Sequence, residues 1–191
     1  MKTEIIAIID RSGSMGSIVD DAIGGFNAFL ADQKTVPGEA RMTLALFDDK
    51  FEYVYAGALI ADAQPLTHAT FVPRGMTALL DAIGRTMNEQ GARIKTQAWA
   101  EKVIVCILTD GGENSSREFK AARIKEMVTH AEANGWSFVF LAANQDAFST
   151  GAGLGISGAH TANFAANSAG TQSAYASMSN TTRSLRSLLT S

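Results

Sequence analysis

The sequence predicts an α/β fold: a doubly wound, mostly parallel six-stranded sheet with one antiparallel edge strand and helices on both faces. Three observations carry this prediction. Two unbroken apolar, β-rich runs, Ile5–Ile9 and Val103–Leu108, are each followed within two residues by an aspartate. A run with no polar break suits a strand buried on both faces, as in a parallel sheet covered by helices. Strand-like runs alternate with segments of helical periodicity, which is the pattern of parallel α/β folds. Finally, only Asp48-Asp49-Lys50 separates two strand-like runs, a link so short that it permits only an antiparallel hairpin.

The first strand stops at Asp10, and Ser12 and Ser14 follow at alternate positions. Ser17 and Asp20 read as a capping pair for a helix from about Ser17 to Lys34. Val19, Ala22, Ile23, Phe26, Phe29 and Leu30 form its apolar face. Gly24 and Gly25 lie inside that helix, each at a cost of ~1 kcal/mol relative to Ala, and close packing is one reason to keep them. Pro37-Gly38 stops the helix. Arg41–Phe47 and Phe51–Leu59 are the hairpin strands, and residues 61–73 are irregular. Thr77 stands at the entrance to a helix from about Ala78 to Lys95, where a simple N-cap is one role for it.

Val103–Leu108 then repeats the logic of the opening, leading into Thr109-Asp110-Gly111-Gly112. Ser115 and Glu118 make a capping box for a helix bearing Ile124, Met127, Val128 and Ala131, which ends at Asn134-Gly135. Trp136–Ala142 is a further buried strand, with Asn144-Gln145-Asp146 at its end and a short helix after it. Thr161–Ala165 is an edge-strand candidate. From Ser168 onward Tyr175, Met178, Leu185, Leu188 and Leu189 recur at helical spacing. Arg183 and Arg186 suit the negative pole of that last helix. There is no internal repeat and no linker, so residues 1–191 read as one domain.

Composition narrows the function. With 46% hydrophobic and 18% charged residues the chain reads as globular and soluble. A net charge of -3 with no basic stripe argues against nucleic acid. No apolar run reaches the roughly 18–20 residues needed to cross a bilayer, and the first is too short for a signal peptide. One cysteine, Cys106, forbids an internal disulfide and fits a reducing, cytoplasmic setting; it reads as a buried small hydrophobe.

In open α/β sheets ligands bind at the carboxyl ends of the strands. Asp10 and Asp110 belong to that rim, and if their strands are neighbours they lie ~4.8 Å apart. Two carboxylates so close repel unless a cation lies between them. With the hydroxyls of Ser12 and Ser14 they form a hard-oxygen set, suited to Mg²⁺ or Mn²⁺, with Ca²⁺ as a further choice.

At this point the sequence resembles a known family. Asp10-x-Ser12-x-Ser14, Thr77 within Gly75-Met76-Thr77-Ala78-Leu79, and Asp110 within Leu108-Thr109-Asp110-Gly111 are similar to the metal-ion-dependent adhesion site (MIDAS) of von Willebrand factor type A (VWA) domains. The likeness extends over essentially the whole chain and is to stand-alone bacterial or phage members. It implies the strand order 3-2-1-4-5-6. It also implies Mg²⁺ bound directly by Ser12 and Ser14, with Thr77 and Asp110 exchanging between direct and water-mediated contact and Asp10 acting mostly through water. The last position goes to water or to an Asp or Glu of a partner protein. Met76 stands where many members have Gly. Arg74, Met76, Glu113, Asn114, Asn144 and Gln145 are then the expected partner-binding rim, with Arg74 steering a carboxylate.

The leading expectation is therefore a non-enzymatic, metal-dependent protein-binding module. The alternative is a metal-dependent phosphohydrolase using Asp10 as nucleophile, although Ser12 stands where such enzymes place a second acid. Gly153-x-Gly155-x-x-Gly158 does not directly follow a strand and reads as a connection, not a dinucleotide site. His68, His130 and His160 are scattered, so neither a histidine metal site nor a serine-nucleophile enzyme is expected.

Overall fold

The computed structural model describes residues 1–187. Six strands form one sheet: β1 (Lys2–Asp10), β2 (Glu39–Phe47), β3 (Phe51–Leu59), β4 (Lys102–Thr109), β5 (Trp136–Ala142) and β6 (Thr161–Asn163), in the order β3-β2-β1-β4-β5-β6. Every neighbouring pair is parallel except the β2–β3 hairpin at one edge. The predicted doubly wound sheet and its order are thus observed.

Alternation along the strands sorts the core into two layers. Ile5, Ala7 and Ile9 of β1 face one side, where they pack with α1 (Val19–Thr35) and α5 (Ser168–Ser187). Ile6 and Ile8 face the other, against α2 (Leu79–Gln97), α3 (Ala121–Ala133) and α4 (Ala147–Gly153). Successive side chains point to opposite faces of a strand, so a run buried on both sides must be apolar throughout. That is why the Ile5–Ile9 stretch of β1 and the Val103–Leu108 stretch of β4 carry no polar break.

Several local expectations are corrected. α1 starts at Val19, because Gly13–Ile18 form a 3₁₀ turn instead. Ser17 donates to the Ser14 carbonyl at 3.2 Å and Asp20 pairs with His68, so these two do not cap the helix together. Ser115 and Glu118 form no capping box, since α3 begins only at Ala121. The amides of that stretch go elsewhere: Glu113 accepts from Ser115 and Ser116, and Asp81 accepts from Arg117, Glu118 and Phe119. Arg186 does not serve the end of its own helix. It is buried and donates to the carbonyls of Gln33 and Val36, closing the C-terminus of α1. Arg183 pairs with Asp32 of α1. Leu188 and Leu189 lie outside the described residues. Gly153, Gly155 and Gly158 belong to the end of α4 and the connection to β6, not to a strand-to-helix phosphate loop. Among the described residues no helix is long and apolar enough to cross a membrane.

Candidate metal centre

The parallel register sets Asp10 opposite Phe47 on one side, and Ile9 opposite Leu108 on the other. The ends of β1 and β4 therefore lie side by side on one rim. Asp10 is fully buried, and both of its oxygens are engaged: Oδ1 accepts from the Ser12 amide at 2.6 Å and Oδ2 from the Thr109 hydroxyl at 2.6 Å. The Asp10 carboxylate thereby pulls the Asp10–Ser12 corner tight and ties it to β4.

The 3₁₀ turn that follows keeps Ser12 and Ser14 close together. Their hydroxyl oxygens are 3.2 Å apart, and Ser14 Oγ donates to Asp110 Oδ1 at 2.6 Å. Thr77 arrives from the far side of the sheet. A Cβ placed on Gly111 would lie 3.5 Å from Thr77 Oγ1 and 3.7 Å from Ser14 Oγ, so both hydroxyls border the same small space. Thr77 does not cap α2; Ala78 holds that position and Thr77 is buried, its amide donating to Asn114 Oδ1 at 2.9 Å.

These spacings suit a small hard cation. Neighbouring ligands of an octahedral ion with bonds of 2.0–2.1 Å are separated by about 2.9 Å. The 3.2 Å and 2.6 Å separations here bracket that value. The donor chemistry agrees, since among the described residues no three His, Cys, Asp or Glu side chains gather, and the oxygen set is two carboxylates with hydroxyls. Burial pushes the Asp10 carboxyl up to about 6, against the hydrogen bonds from Thr109 and Ser12, with Asp110 adding to the rise. Burial also raises Asp110, against the Ser14 hydrogen bond. A cation among the oxygens favours the charged forms of both acids.

The six expected rim residues divide. Met76 is 53% exposed beside Thr77. The Arg74 side chain is half exposed, yet its Nε donates to Asp48 Oδ2 at 2.9 Å. The other four also brace the loops, Glu113 and Gln145 half-buried and Asn114 and Asn144 exposed. Glu113 accepts from the amides of Leu80, Ser115 and Ser116 and from the Ser116 hydroxyl. Asn114 holds Thr77 as described above, Asn144 donates to the Asp110 carbonyl at 2.9 Å, and Gln145 donates to the Gly111 carbonyl at 2.8 Å. Asn144 adopts a positive φ of 55°, a conformation Asn tolerates better than most residues. Sequence reasoning missed Thr109, Arg11 and Asp48. The one available signal was their position: all three stand at strand ends on this rim.

No family model matches the sequence, and no curated protein does so either. Solved structures do match. The von Willebrand domain of a type V pili tip protein from Porphyromonas gingivalis aligns over 99% of this chain and 98% of its own, with a TM-score of 0.67 at 11% identity. Proximal thread matrix protein 1 from the mussel byssus, solved with zinc in its MIDAS motif, aligns over 95% of this chain with a TM-score of 0.68 at 14% identity. This chain spans only 46% of that protein's length. The manganese-loaded TRAP protein of Plasmodium vivax aligns over 75% of this chain and 58% of its own, with a TM-score of 0.56 at 16% identity. Two of these neighbours were solved holding a divalent metal, zinc in one and manganese in the other. By its sheet order, its layers and these matches, the chain has the fold of a von Willebrand factor type A domain.

Proposed function

We propose that this protein is a divalent-metal-dependent protein-binding module. Asp10, Ser12, Ser14, Thr77 and Asp110 hold Mg²⁺, and an Asp or Glu of a partner protein completes its coordination. One observation carries the reading: the hydroxyl–carboxylate chain Ser12–Ser14–Asp110, at octahedral-edge spacing, on the rim where β1 and β4 end side by side. The zinc- and manganese-bound neighbours lend support for a divalent ion at such a position. Mn²⁺ and Ca²⁺ are the alternative ions.

When bound, the ion supplies a strong, directional contact for an incoming carboxylate. The chain's own residues do the rest. Neutral hydroxyls leave more of the ion's charge unanswered than carboxylates would, and Mg²⁺ retains exchangeable waters. Asn114, Asn144 and Gln145 hold the loops in place, so little ordering is left for the moment of binding. Met76 offers an adaptable apolar contact to the partner, and Arg74 offers its exposed flank as a cation. The protein works in the cytoplasm, in keeping with its single, buried cysteine, and residues 1–191 act as one non-catalytic domain.

Titration calorimetry with MgCl₂ and MnCl₂ tests the site. Wild type takes up one ion, while Asp110→Ala and Asp10→Ala stay folded by circular dichroism and bind none. Unchanged binding in those variants defeats the site. Partner capture in Mg²⁺ but not in chelator, lost in Asp110→Ala, tests the interaction. Hydrolysis of p-nitrophenyl phosphate that disappears in Asp10→Asn would establish the phosphohydrolase reading in its place.

A further inference from the structure

We infer that Asp48, in the β2–β3 hairpin, is a positioning residue for the metal site, acting by holding the arc Arg74–Ala78 that carries Thr77. The inference rests on the metal-site reading above, and it concerns a residue outside the motif.

Asp48 sits in a turn, where an aspartate is ordinarily solvated, yet it is completely buried. Its side chain and backbone reach both ends of the arc. Asp48 Oδ2 accepts from Arg74 Nε at 2.9 Å, and its carbonyl accepts from the Ala78 amide at 2.9 Å. Met76 and Thr77 lie between those two anchors. The same Oδ2 accepts from Arg11 Nε at 3.0 Å, and Oδ1 from the Lys50 amide at 2.6 Å. Arg11 follows Asp10 directly, so one carboxylate joins the first metal loop, the hairpin and the Thr77 arc. Two backbone bonds run alongside: the Arg74 amide to the Arg11 carbonyl at 3.0 Å, and the Gly13 amide to the Gly75 carbonyl at 3.2 Å.

The fit is close. Gly75 has a φ of +65°, and a Cβ there would fall 2.0 Å from Asp49 Oδ1. The arc thus lies against the Asp49 side chain of the hairpin turn, and the positive φ at Gly75 favours glycine. Removing the Asp48 charge weakens its pairs with Arg11 and Arg74 and so loosens the arc.

The test measures Mn²⁺ affinity of the full chain by EPR and calorimetry, below the melting temperature of every variant. Asp48→Asn is expected to weaken Mn²⁺ binding about 10–100-fold, the range for groups that orient metal ligands. Arg74→Gln, at a half-exposed position, weakens it less. Glu52→Gln, whose partner Arg11 keeps Asp48, leaves it unchanged.

A double-mutant cycle separates positioning from general destabilisation. If Asp48 acts through Thr77, adding Asp48→Asn or Arg74→Gln to Thr77→Ala costs little further affinity. Losses that simply add, or single variants that bind Mn²⁺ like wild type, overturn the inference and leave the metal site standing. If Asp48→Asn does not fold, the Arg74→Gln arm decides. Wild type that binds no Mn²⁺ removes the metal site and this inference together.

Discussion

Adjacent glycines in α1 allow a matched pair of substitutions with opposite expected signs. Gly24 is exposed, and a Cβ there would meet nothing within 4 Å. Gly25 is buried against α5, and a Cβ there would fall 2.2 Å from Tyr175 Cδ2 and 2.8 Å from Cγ. Alanine at either position recovers roughly 0.8–1.0 kcal/mol of helix propensity. At Gly24 nothing opposes that gain, so Gly24→Ala stabilises by up to ~1 kcal/mol. At Gly25 the ring must move, and Tyr175 is only 2% exposed in a core that includes Phe26, Phe29 and Met178. The obstructing atoms include the root of the ring, which cannot swing clear without rotating the whole side chain. Overpacking of this kind costs about 1–3 kcal/mol, so the net effect is a loss of about 0–2 kcal/mol. For a chain of this length each kcal/mol is worth roughly 2–4 °C. Thermal melts followed by circular dichroism should therefore rise by about 2–4 °C in Gly24→Ala and fall by up to about 8 °C in Gly25→Ala. Equal shifts, or a rise in both, would refute close α1–α5 crossing as the reason for the second glycine. Because the lesion lies in packing, Gly25→Ala also leaves Mn²⁺ affinity unchanged at low temperature.

Two further outcomes follow from groups buried away from the metal rim. Arg186→Met keeps the apolar stem but deprives the Gln33 and Val36 carbonyls of their donor; it should destabilise by about 2–4 kcal/mol and lower the melting temperature by roughly 5–15 °C, and a variant as stable as wild type would show that this bond does not matter. Cys106 has no exposed surface, and burial pushes its thiol up to about 12, so iodoacetamide should alkylate it only after unfolding. Rapid labelling under native conditions, read by mass spectrometry, would contradict that burial.

What the sequence determined by itself was whatever depends on local periodicity. Ile5–Ile9 and Val103–Leu108 had to be central strands, because only a strand covered on both faces tolerates so long an apolar run. The link at Asp48–Lys50 had to be a hairpin, because three residues cannot cross a sheet. Asp10 and Asp110 had to stand on the rim where those runs end. Tertiary structure alone decided which polar side chains are spent on bracing. Glu113, Asn114, Asn144 and Gln145 lie in loops where a polar residue looks the same whether it faces solvent or a backbone group, and all four hold backbone groups 33 or more positions away in the chain. Asp48 looks like an ordinary turn residue until Arg11 and Arg74 arrive from other loops. Arg186 looks like the end of its own helix until α1, 153 positions earlier, presents its carbonyls. Burial of apolar groups leaves a local trace because its period is that of the element itself. The pairing of polar groups leaves none, because each partner is chosen by where the chain returns in space.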